Sequence, residues 1–75
     1  MATPEPELFL ESVAEAIDGV SRDDLALEMA LSDIPNWDSL ARLGALTIIE
    51  ERFGTVISLA ELSRCETLED LRKQV

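Results

Sequence analysis

The chain has 75 residues, enough for one small domain with a single core, and 47% of them are hydrophobic. Sixteen acidic against six basic residues give a formal net charge of −10 at pH 7, which repels phosphate backbones and anionic headgroups and argues against nucleic acid or a membrane surface as partner. Histidine is absent and Cys65 is the sole cysteine, so imidazole catalysis and an intramolecular disulfide are excluded; with no segment of signal-peptide pattern, a reducing cytoplasm is the expected compartment.

Residues 1–75 read as one domain, with 1–6, which contain Pro4 and Pro6, as a short frayed lead-in. A first helix is predicted from near Pro6 to Gly19. Phe9, Val13, Ala16, Ile17 and Val20 fall on one helical stripe, while Glu7, Glu11, Glu15 and Asp18 lie between them. Residues 21–36 are too long for a bare connection in so small a domain, and one or two helical turns are expected within them. Ser21 with Asp24 has the pattern of a capping box there, and Pro35 with Asn36 breaks the segment.

The central helix is predicted from Ser39 to Phe53, with Asp38 as its N-cap and Gly54 as its stop. On an ideal wheel Ala45, Leu46, Ile48, Ile49 and Phe53 form one apolar arc. Leu40, Leu43 and Thr47 form another, bordered by Glu50 and Glu51. One arc has to face the first helix; the other is either an open docking strip beside Ser39 or buried as well, if the helix is central. Arg42 falls inside the core arc on this wheel and is expected to snorkel near the helix start.

Two capping boxes, Ser58 with Glu61 and Thr67 with Asp70, open two more helices ahead of Leu59, Leu62 and Leu68, Leu71. Val56 and Ile57 are β-branched but have no second strand to pair with. The expected fold is therefore all-α: a small bundle of three principal helices plus one short helix, as a monomer. Asp33 to Asp38 lacks the alternating oxygen ligands and central glycine of an EF-hand loop, so no discrete metal site is expected.

Chemistry concentrates at the triplet Asp38, Ser39, Leu40, where the irregular segment gives way to the central helix. Ser39 falls in the first helical turn, where backbone N–H groups lack internal partners and an anion is favoured. No histidine exists, and no lysine lies nearby, to make Ser39 a hydrolytic nucleophile. Cys65, between Arg64 and Glu66, has no activating base either, and a structural or incidental role is expected for it.

Trp37, Asp38, Ser39 and Leu40, followed by the helix end Glu50-Glu51-Arg52-Phe53-Gly54, resemble the phosphopantetheine attachment motif of the acyl carrier protein family. The helix order extends the resemblance over nearly the whole chain. It implies a non-catalytic carrier: 4′-phosphopantetheine from coenzyme A, attached to Ser39 by a separate phosphopantetheinyl transferase, holds acyl intermediates as thioesters for fatty-acid or specialised acyl or polyketide biosynthesis. It further implies Asp38 as helix cap and transferase contact, and partner docking through Leu40, Leu43, Thr47, Glu50 and Glu51 onto basic patches of acyl-transferring or acyl-activating enzymes. An acyl cavity lined by Leu46, Ile49 and Phe53 is also implied, and Trp37, a large aromatic beside the triplet, is expected to be a packing anchor rather than a substrate contact. Where fatty-acid carriers of the family carry acidic residues early in this helix, the chain has Ala41, Arg42 and Gly44, and Asn36-Trp37 stands where a glycine is usual. An aminoacyl or peptidyl carrier, and an unmodified acidic helical adaptor, remain alternatives.

Overall fold

The computed structural model describes residues 3–75. Helix α1 spans Pro6–Glu15, with Pro6 in the first turn, where its missing N–H leaves no bond unmade, and Glu7 adding a favourable carboxylate. It buries Phe9, Leu10, Val13 and Ala14, together with Ser12, whose Oγ donates back to the Leu8 carbonyl at 2.8 Å.

The helix stops at Glu15, short of the predicted Gly19. From Ala16 onward the bonds tighten: the Ala16 N–H donates to Val13 O at 3.0 Å and the Ile17 N–H to Ala14 O at 3.1 Å. Ile17 stays buried and Val20 packs against the core, so the apolar spacing is satisfied by a turn rather than by another turn of helix. Gly19 then takes a left-handed φ of 76°.

Residues 21–36 hold two one-turn 3-10 helices, Arg22–Asp24 and Leu31–Asp33. The first opens on the expected box, the Ser21 N–H donating to Asp24 Oδ2 at 2.9 Å. Between the two turns the chain pairs, antiparallel, with the start of the last helix. The Leu31 N–H donates to Glu66 O at 2.9 Å, the Leu68 N–H to Met29 O at 3.1 Å and the Glu69 N–H to Leu27 O at 2.9 Å. This lone bridge around Ala30 and Thr67 does not grow into a strand.

Helix α2 spans Ser39–Phe53 and ends where Gly54 adopts φ 70°. Helices α3 (Leu59–Ser63) and α4 (Leu68–Gln74) both begin on their predicted capping boxes. Four α-helices and no strand among the described residues give the all-α fold. None of these helices is long and apolar enough to cross a membrane.

The core joins the α1 stripe to Ala41 and Ile49 of α2 and to Leu62, Leu68 and Leu71, and Ala45 is fully buried as well. Two small residues of α2, Ala41 and Ala45, face inward, and Gly44 lets its backbone approach the end of α1: a Cβ added there would lie 3.2 Å from Ala16 O. That rotation turns Arg42 outward, so it is exposed rather than within the core arc. A largely exposed polar brace, reaching one buried hydroxyl at Ser12, reinforces the contact between α1 and α2. Arg52 donates to both carboxylate oxygens of Glu15 at 2.6 and 2.7 Å and to Ser12 Oγ at 3.1 Å. Arg22 grips Glu7 through its Nε at 2.9 Å, and Arg72 bonds Glu69 while its Nη1 donates to Pro4 O at 2.7 Å, tying the lead-in to α4.

Candidate functional site

The loop that delivers the chain to α2 is held at its last turn by Asn36. Its backbone is left-handed at φ 59°, a conformation asparagine tolerates better than most residues. Its Nδ2 donates to Asp18 O at 2.9 Å, fastening the loop to the turn after α1. The Pro35-Asn36 pair read from sequence only as a breaker is thus also a clasp. Trp37 follows, half-buried against the core as expected of a packing anchor.

Asp38 adopts extended backbone at the N-cap, and its Oδ1 accepts the Ala41 N–H at 2.8 Å. Ser39 is the first residue of α2 and is exposed. Its hydroxyl therefore stands on a capped helix start, reachable by another protein. The arrangement suits an esterified anion.

Beyond Ser39 the second apolar arc of α2 is open: Leu40 is 77% exposed and Leu43 50%. A central helix buried all round is ruled out. Leu40, Leu43, Thr47 and Glu51 line a groove of about 570 Å³, and Thr47 Oγ1 turns back to donate to Leu43 O at 2.9 Å. Ala16, Gly44, Ile48 and Arg52 complete the lining; Ala16 comes from another element, and Ile48, placed by the wheel in the other arc, borders this groove as well. Glu50 is exposed but lies outside this groove. Arg52 brings little free charge, because its guanidinium is engaged by Glu15, whose carboxyl it holds below the usual carboxylate range.

Of the residues expected around an acyl chain, Ile49 is fully buried, and Leu46 and Phe53 are half-buried against the core. A different groove, of about 500 Å³, opens between the start of α2 and α3, lined by Leu31, Trp37, Arg42, Leu62, Cys65 and Glu66 among others. Burial pushes the Cys65 thiol up, and the charges of Asp70 and Glu61 add to this. Its Sγ is 3.5 Å from the Glu61 carbonyl, to which it donates. Cys65 is accordingly a protonated, partly buried thiol rather than a nucleophile.

A protein-family model described as a phosphopantetheine attachment site matches residues 8–75. No curated protein and no solved structure matches the chain.

Proposed function

We infer the function from one premise: the chain belongs to the family of domains that carry a phosphopantetheine attachment site. Such domains bear a covalent 4′-phosphopantetheine, are generally non-catalytic, and work with a phosphopantetheinyl transferase and acyl-handling enzymes. In this reading Ser39 is the attachment point and the chain is an acyl carrier. The observation that carries it is the exposed Ser39 in the first turn of α2, on a helix start capped by Asp38.

Attachment exchanges the Oγ–H bond of Ser39 for an Oγ–P bond, and the coenzyme A fragment leaves as the adenosine bisphosphate. The phosphodiester falls at the positive end of α2, where unpaired N–H groups and the helix dipole favour it by about 0.3–1 kcal/mol. When bound, the arm supplies a terminal thiol that holds acyl units as thioesters, which are better acyl donors than an ester on serine. Asp38 keeps the helix start fixed for the transferase. Leu40, Leu43 and Thr47, with Glu51 at one end and Glu50 nearby, offer partner enzymes an apolar strip with an acidic rim, which suits a basic patch around an apolar knob. Leu46, Ile49 and Phe53 are already packed and have to part for an acyl chain to enter between them.

The test is the intact mass of the purified chain before and after incubation with coenzyme A, Mg²⁺ and a broad-specificity transferase, with Ser39→Ala alongside. A phosphopantetheine increment on the wild type alone is expected. No increment with several transferases would leave an acidic helical adaptor, and loading of acyl against aminoacyl units on the modified chain separates the two kinds of carrier.

A further inference from the structure

Arg42 stands one turn along α2 from Ser39, and no neighbour takes up its charge. The ion pairs among the described residues are Arg22 with Glu7, Arg52 with Glu15 and Arg72 with Glu69; exposed Arg42 belongs to none of them. Asp38, one turn back, has its carboxylate on the Ala41 N–H at 2.8 Å. Glu66 lines the same groove as Arg42 without pairing with it. Side chains at i and i+3 of a helix lie about 5–6 Å apart at Cβ, so the long arginine stem reaches any phosphate esterified on Ser39 Oγ.

Three grooves flank the first turns of α2, and their charges differ. One of about 340 Å³ is bordered by Asp18 and Asp38 and repels an anion. The groove along Leu40 and Leu43 has Glu51 and an arginine already engaged by Glu15. The third, between Trp37 and α3, alone presents an unengaged guanidinium, Arg42, beside an indole face and Leu62.

We propose that Arg42 is the counter-ion of the phosphodiester on Ser39 and thereby lays the arm along the groove between Trp37 and α3, leaving the Leu40 and Leu43 groove free for a partner. This rests on the reading of Ser39 as the attachment point. Arg42 acts here as a positioning residue for the arm. A planar guanidinium suits a phosphodiester bidentately, which a lysine ammonium reproduces only as a point charge.

The experiment loads wild type, Arg42→Gln and Arg42→Lys with the transferase, checks each by intact mass, and compares the melting temperature of the loaded and unloaded form of each chain. Arg42 is exposed, so the unloaded variants are expected to fold like the wild type. Loading raises the wild-type Tm by about 2–5 °C more than that of Arg42→Gln at low salt, with Arg42→Lys between them. The gap closes at about 0.5 M salt. In the loaded wild type, NMR contacts run from the pantetheine methyls to the Trp37 indole, and they weaken in Arg42→Gln. A wild type that takes up no arm sinks the reading of Ser39 and this inference together. Loaded chains with equal Tm increments, or arm contacts to Leu40 and Leu43 instead of Trp37, overturn the role of Arg42 and leave the carrier reading intact.

Discussion

At Asn36 the backbone turns through a φ of 59°, and one side-chain bond of 2.9 Å to Asp18 O holds the turn that aims Ser39 outward. Alanine there loses the bond and tolerates the left-handed backbone less well than asparagine, so Asn36→Ala is expected to cost about 1–2 kcal/mol and lower the Tm by at least about 4 °C. Asn36→Gly loses the bond and keeps the conformation, and its Tm is expected to fall by less. Equal thermal melts of the two variants would show that φ has no part in the effect. Single residues were unevenly legible. Asp38, Ser39 and Gly54 announce themselves, because a cap, a helix start and a left-handed stop each need a particular side chain or none. The clasp of Asn36 on Asp18 links two turns far apart in sequence, and local pattern carries no trace of it.

Among the elements, α2 sits where its caps place it, and α3 and α4 begin on their Ser58 and Thr67 boxes, because capping is a contest decided within four residues. The end of α1 is not decided locally. Its apolar stripe runs on to Val20, yet the helix closes at Glu15, beside the place where Gly44 of α2 packs near the Ala16 carbonyl. Arg42 was misplaced for a related reason: an ideal wheel weighs apolarity, whereas the true rotation of α2 is set by where small residues allow two helices to touch. The same reasoning makes Gly44→Val a sharp test. Its branched side chain has to push the Ala16 carbonyl away, at a cost of about 1–3 kcal/mol, and urea unfolding should show the loss with an unchanged slope. A variant as stable as the wild type would mean that α1 and α2 separate freely. The groove of Leu40 and Leu43 was legible as an apolar arc, but not its far wall, since Ala16 comes from another element.

For the whole molecule, the carboxyls with shifted pKa all move the same way. Hydrogen bonds from Arg22 lower Glu7, those from Arg52 lower Glu15, the Ser58 backbone N–H lowers Glu61, and the Glu66 and Thr67 backbone N–H groups lower Asp70. A depressed carboxyl stabilises the fold above its unfolded pKa, and that contribution is lost as pH falls through the folded value. With ordinary values of 4.5 for the glutamates and 3.8 for Asp70, the Tm is expected to be flat from pH 7 to about 5 and to fall below about 4.5. It falls even as the net charge approaches zero near the pI of about 4.1; a Tm that peaks at the pI would point to overall repulsion instead. The pairing of Leu27, Met29 and Leu31 with residues 66–69 has a further consequence, for the order of events in a cell. A ribosome makes the serine before it makes Glu66, so for that interval the segment leading to Ser39 has backbone groups at Leu27, Met29 and Leu31 without their partners. On the proposed reading of Ser39 as the attachment point, a transferase that recognises the finished helix start and its neighbouring loop meets a competent substrate only after the far end of the fold has been synthesised, and loading would then double as a check that the chain has folded.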